Sequence, residues 1–177
     1  MARLIYPDYL CENATMTSAY IRIHLATQKL QLLQHTSLRH EFNVSTAKNG
    51  AGETFGSECT PRGKMKIRAK IGADCKTNTV FIGRRPTGEI YNTTLANQFP
   101  QRDWILTRIL WLTGLEPGFN RYGKVDTLRR FIYIHGTPDS KPMGIPLSHG
   151  CIRMRNAHVM QLFYLVEIGT MVDVFEF

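Results

Sequence analysis

Residues 134–156 read IHGTPDSKPMGIPLSHGCIRMRN, and this stretch decides how the chain is understood. Just upstream, residues 129–136 (RRFIYIHG) form an apolar, β-prone run that leads straight into His135, Gly136 and Thr137. A loop holding Pro138, Pro142, Gly144 and Pro146 follows, and then Ser148, His149, Gly150, Cys151, Ile152 and Arg153. Such a loop lets its two ends converge. A thiol nucleophile needs a neighbour that takes its proton, and a neutral imidazole does this near pH 7. Positive charge nearby, here Arg153 or a histidinium, favours the thiolate. Gly136 and Gly150 allow close backbone approach and expose N–H groups suited to an oxyanion. From the residues alone three readings stand: Cys151 as nucleophile, Cys151 with His135 and His149 as zinc ligands, and Cys151 as a small buried side chain.

Working outward, residues 20–26 (YIRIHLA) alternate, with Ile21, Ile23 and Leu25 on one face and Arg22 and His24 on the other, which predicts a half-buried strand. Two short runs follow, QKLQLLQH and RHEFNVST, consistent with a meander. Residues 47–64 carry four glycines and a proline and read as a loop. Residues 64–72 (KMKIRAKIG) alternate again, with one strongly basic face, and residues 78–88 give a further strand ending in a turn. The helical period is read twice. In residues 103–114 (DWILTRILWLTG), Asp103 is the expected N-cap, Ile105, Ile109 and Leu112 share a face, and Gly114 closes the end. In residues 156–169, Asn156 is the expected cap, Val159, Leu162, Phe163 and Val166 line one face, and Gly169 ends it. MVDVFEF closes the chain as a strand. The expectation is an irregular segment over residues 1–18 and one mainly β domain with two helices over 19–177.

A chain of 177 residues, 43% hydrophobic and 20% charged, has the composition of an ordinary folded domain. Its 22 basic and 14 acidic residues give a formal charge of +8, which favours anionic partners. No long run of like charge and no nucleic-acid motif is present, so nucleic acid is not expected as a partner. Pro7 and Asp8 interrupt the first apolar run, short of the about 7 to 15 residues a signal peptide needs. Nor is there a run of about 18 apolar residues to span a membrane. These features give an expectation of a cytoplasmic protein with no membrane partner, whose cysteines, Cys11, Cys59, Cys75 and Cys151, stay as free thiols. The absence of any CxxC pair speaks against a zinc ribbon or a thioredoxin-type site. The sequence is silent on oligomeric state.

Residues 134–156 resemble the active-site signature of the L,D-transpeptidase (YkuD-type) family: HG, a loop, then SHGC, I or V, R, and M or L. The likeness continues in order through IRIHLATQKLQLL, STAKNG, CTPRGKMKI and GTMVDV, over about residues 20 to 175. One departure is His158, where the family commonly carries an acid. The resemblance implies a YkuD-type β-sandwich or barrel and a cysteine enzyme acting on peptidoglycan peptide stems, without metal or cofactor. On this reading Cys151 is the nucleophile and His135 the base and later acid, oriented by the carbonyl of Gly136. His149, Gly150 and the Cys151 amide frame the oxyanion site, Ser148 holds the loop, and Arg153 supports the pocket or meets a substrate carboxylate. Arg84 and Arg85 are candidate anion contacts, as are Arg68 and the Lys64–Lys70 face. Among family members the chain looks most like the cytoplasmic L,D-carboxypeptidases, which trim tetrapeptides or muropeptides for recycling; a cross-linking L,D-transpeptidase is the alternative.

Overall fold

The computed structural model describes residues 19–177; the expectations for residues 1–18 and for Cys11 lie outside that range. Ten strands and two helices follow in order: β1 (Ala19–His24), β2 (Lys29–Gln34), β3 (Ser37–Asn43), β4 (Gly63–Ile71), β5 (Thr79–Ile82), β6 (Arg85–Ile90), α1 (Thr93–Gln98), β7 (Ile105–Gly114), β8 (Tyr133–Thr137), β9 (Ile152–Arg155), α2 (Asn156–Leu165) and β10 (Met171–Phe175). The mainly β class with two helices holds, and the sheet curls into a half-barrel. Along it the strands run β3-β2-β1-β10-β4-β7-β5-β6, while β8 pairs with β7 and carries β9. Most pairings are antiparallel, but β1 with β10 and β8 with β9 are parallel.

Alternation sets the faces. Ile21, Ile23, Met65, Ile67, Val172 and Val174 all point into one core and are essentially inaccessible to solvent. α2 covers that core with Val159, Leu162 and Phe163. Each such burial contributes on the order of 1.5–3 kcal/mol against conformational entropy.

The first expected helix is a strand. Residues 105–114 form β7, ten residues long and buried along almost its whole length. Ile105, Ile109 and Leu112 do fall at helical spacing, but Leu106, Thr107, Arg108 and Leu110 between them are buried. A strand covered on both faces reads as a continuous apolar run, and short runs of that kind mimic a helical period. Asp103 therefore caps no helix and stands just ahead of β7. The second helix of the fold is instead α1, capped by Asn92, whose Oδ1 accepts from the Leu95 N–H at 2.9 Å. It has six residues and buries none of them, so no apolar period announces it.

α2 forms where expected, with two corrections at its ends. Asn156 is its first residue rather than its cap, and its side chain turns into the sheet: Oδ1 accepts from Thr107 Oγ1 at 2.5 Å and Nδ2 donates to the Thr137 carbonyl at 2.9 Å. The helix stops at Leu165, four residues before Gly169, which makes the turn into β10 at φ 95°. Lys70 closes the end by donating to the Val166 carbonyl at 2.5 Å, which commits one cation of the basic β4 face to a structural bond.

Candidate active site

β8 lies between β7 and β9 and is buried at every residue. The parallel register sets His135 beside Arg153 and Ile134 beside Ile152, so Cys151, just ahead of β9, falls next to Tyr133. His135 and Cys151 thus share a face of the sheet, one strand and two residues apart. Strand spacing and rise place their Cα atoms about 8 Å from one another, a gap their side chains can span.

A bulge shapes the other side of His135. The β7–β8 register shifts between Leu106 and Ile109, and Thr107 there takes a positive φ of 67°, an unusual conformation for a β-branched residue. Thr107 is held in it by the bond to Asn156 and by accepting from the Asn78 N–H at 3.0 Å. Gly136 fits against this bulge because it has no side chain. A Cβ at that position would stand 2.5 Å from Asn156 Oδ1 and 2.7 Å from the Leu106 carbonyl oxygen.

The imidazole is 1% exposed, and its Nδ1 lies 2.7 Å from the Gly136 carbonyl oxygen. A carbonyl only accepts, so Nδ1 carries the proton and Nε2 keeps its lone pair. Burial lowers the His135 pKa from its ordinary 6.5, although Asp103 and the Gly136 carbonyl work against that. The ring is a neutral base at neutral pH.

Cys151 is half-buried. Its sulfur accepts from the Tyr133 N–H at 3.4 Å and donates to the Phe131 carbonyl at 3.4 Å, rather than bonding the imidazole. Burial pushes the thiol up to about 12, assisted by Asp103, while the Tyr133 N–H, Arg153 and Arg130 pull it down. The resting pair is therefore thiol and neutral imidazole.

The loop before Cys151 is stitched from two directions. Ser148 Oγ donates to the Cys151 carbonyl at 2.6 Å and accepts from the Gly150 N–H at 3.2 Å. Thr60 Oγ1 donates to the Gly150 carbonyl at 3.0 Å, and Ser45 exchanges two backbone bonds of 2.9 Å with Arg153. Gly150 sits at φ 125°, and a Cβ there would press to 3.2 Å of the Cys59 carbonyl oxygen. Residues 45–61, which include the STAKNG and CTP stretches, thus form the wall against which the Cys151 loop is set.

Arg153 is buried, with Nη1 on the Leu147 carbonyl at 3.0 Å and Nη2 on Asp103 Oδ1 at 2.6 Å. His149 is exposed, and its Nδ1 lies 3.7 Å from Asp103 Oδ2. Arg84 lies on the Tyr133 side: it donates to the Tyr133 hydroxyl at 3.0 Å and its guanidinium stacks over Trp111 and Phe131 at 4.5 and 4.9 Å. Arg85 is exposed at the start of β6. Trp104, next to Asp103, packs with Val80 and Leu106. Cys59 and Cys75 are free thiols; the Cys59 sulfur turns to the Asn49 and Ser57 carbonyls, and only its backbone reaches the Cys151 loop. Among the described residues, no three His, Cys, Asp or Glu side chains converge closely enough to hold a metal ion.

Two residues of the site carry no sequence signal for that role. Asp103 was legible only as a helix cap. Arg130 donates to the Gly52 and Cys59 carbonyls at 2.9 and 2.6 Å, pinning the 52–59 loop beside the thiol, and in sequence it is one of three neighbouring residues of an RRF run. Two recesses of about 210 Å³ each meet at His149. One is polar and holds Asp103, Lys141 and Arg153; the other is lined by Phe55, Phe131, Ile132 and Arg130.

A half-buried thiol at the entry to β9 and a buried neutral imidazole on the neighbouring strand β8, backed by a pinned loop, are the components of a cysteine acyl-transfer site. Residues 18–174 match the family described as L,D-transpeptidase catalytic domain (YkuD), and the chain belongs to that family. A curated relative, YqjB of Bacillus subtilis (strain 168), named provisionally as an L,D-transpeptidase, is 25% identical over 163 residues, covering 92% of this chain and 74% of its own. Among solved structures, an L,D-transpeptidase from Mycobacterium smegmatis matches with a TM-score of 0.54 at 15% identity over 90% of this chain. L,D-transpeptidase 3 from Mycobacterium tuberculosis, in complex with a faropenem-derived adduct, matches with the same TM-score, identity and coverage. This chain spans 59% and 61% of those two solved chains, and at such identities the likeness establishes the fold.

Proposed function

We propose that the chain is a cysteine L,D-carboxypeptidase that removes the terminal D-alanine from peptidoglycan tetrapeptide stems. The observation that carries this is the parallel β8–β9 pairing, which sets Cys151 and His135 on one face of the sheet in a member of the family. Cys151 Sγ attacks the carbonyl carbon preceding D-alanine as His135 Nε2 takes the thiol proton. The Gly150 N–H is turned to Ser148, so the Cys151 amide is the donor left for the developing oxyanion. Collapse breaks the C–N bond, and His135 returns the proton to the departing amine, leaving a thioester on Cys151. Water, giving a proton to His135, then attacks the thioester carbonyl; collapse breaks the C–S bond, the Cys151 sulfur takes that proton back from His135, and the tripeptide leaves as an acid that ionises to its carboxylate. Hydrolysis as the second step is supported by the exposure of His149, whose side chain is 62% accessible and stands two residues from Cys151, which leaves that side of the loop open to solvent. With hydrolysis goes a soluble, recycled stem as substrate and a cytoplasmic setting, which fractionation of the producing cells tests. Arg84 and Arg85 are proposed to meet stem carboxylates.

The second reading, L,D-transpeptidation, is favoured by the two recesses that meet at His149, since an acceptor amine needs a berth of its own. One assay separates them. Purified protein incubated with disaccharide- or anhydro-muramyl-tetrapeptide is expected to release D-alanine without an acceptor, and Cys151→Ala to abolish release while Cys59→Ala and Cys75→Ala retain it. Tetrapeptide left intact by mass spectrometry overturns the proposal; incorporation of added D-methionine in place of hydrolysis favours the transpeptidase.

A further inference from the structure

Asp103 occupies a position that no motif announces. It stands at the head of β7, on the opposite side of β8 from the Cys151 loop, and reaches across to two residues of that loop's signature. Its Oδ1 receives Arg153 Nη2 at 2.6 Å, and its Oδ2 lies 3.7 Å from His149 Nδ1. Arg153 in turn donates from Nη1 to the Leu147 carbonyl at 3.0 Å, so one carboxylate ties down residues on both sides of the nucleophile. We infer that Asp103 is the positioning residue of this site, holding Arg153 and His149 so that the Gly150–Cys151 backbone keeps its direction toward the substrate carbonyl. The inference rests on the proposed reading of Cys151 as nucleophile.

The electrostatics agree with the geometry. The groups that face Asp103 are Arg153 from β9, His149 from the loop and His135 from β8, with Lys141 and Arg102 lining the same recess. Arg102 is engaged by Glu89, at 2.7 Å, and stacks on Trp104. Partial burial works to raise the Asp103 pKa, but Arg153, His135 and His149 together outweigh it and hold the carboxyl below its ordinary value. A fixed negative charge there favours the imidazolium of His135 once it has taken a proton and opposes a free thiolate at Cys151. Asp103 therefore favours proton transfer during attack over ionisation before it.

Asp103→Asn keeps the shape and removes the charge. It is expected to lower kcat for D-alanine release about 10²-fold, the scale of a small misplacement at a reacting centre, while KM changes little. The acid limb of kcat/KM is expected to move to lower pH, because His135 loses the charge that raised its pKa. Asp103→Glu, which keeps the charge on a longer arm, is expected to show a lowered kcat with the wild-type acid limb. An Asn variant with wild-type kcat, or with an unmoved acid limb, overturns the inference. Should the Asn variant not fold, the Glu variant decides: a wild-type kcat there overturns it. Cys151→Ala run in parallel keeps the two ideas apart. If it still releases D-alanine, the functional reading fails; if it is inactive and Asp103→Asn behaves as wild type, only the role of Asp103 does.

Discussion

Cys151 carries its proton in the resting protein, and this sets the pH behaviour of the site. With the thiol pushed up to about 12, the thiolate population climbs about tenfold per pH unit across the accessible range. Carboxymethylation of Cys151, followed by mass spectrometry of its peptide, is expected to accelerate steadily from pH 7 to pH 10. A plateau reached below pH 8 would show a preformed thiolate instead. His135 gives the complementary limb. Because burial lowers its pKa below 6.5, the imidazole is still a base at pH 6.5, and the acid midpoint of kcat/KM is expected below that value. The same shift has a sign for stability. Between the two pKa values the unfolded chain binds the proton and the folded one does not, so stability is full above pH 6.5 and falls as the pH drops below it. An acid midpoint above 6.5 contradicts both statements.

Among the elements, the β7 bulge and Gly136 act as one fitting. Gly136→Ala places a methyl carbon within 2.7 Å of a backbone oxygen that cannot swing away. It is expected to cost about 1–3 kcal/mol in urea unfolding and to abolish activity, because the Gly136 carbonyl orients His135. A variant as stable and as active as wild type would count against that fit. The elements also explain what the sequence could and could not reveal. Strands with one wet face, β1 and β4, declare themselves by alternation, and α2 by its apolar stripe. β7 does not, since a strand buried on both faces shows no period of its own, and its chance spacing of Ile105, Ile109 and Leu112 imitates a helix. His135 and Cys151 were legible because glycines, prolines and polar residues cluster around them within one segment. Asp103 and Arg130 act on Cys151 through folding alone, and nothing in their neighbours marks them. Asn156 shows the same limit: a good capping residue by type, it is drawn instead into bonds with Thr107 and Thr137 on other strands.

At the scale of the whole molecule, β10 joins two parts of the sheet. On one side it pairs in parallel with β1, and through it with the β2–β3 meander; on the other it pairs antiparallel with β4 and so with the strands that hold the site. Val172 and Val174 fill the core between them. Removing residues 171–177 is expected to leave a chain without cooperative thermal unfolding, whereas Phe177→Ala, at a residue 95% exposed, is expected to leave the melting temperature unchanged. A cooperative transition in the truncated chain would show that the two parts hold together without β10. During synthesis this placement has a further effect. The ribosome delivers β10, an internal strand of the sheet, after the other nine described strands, so the meander and the catalytic part wait side by side with open edges until β10 emerges. Until then each edge is free to pair with another chain, and the interval before those few residues arrive is when a nascent molecule most needs a chaperone.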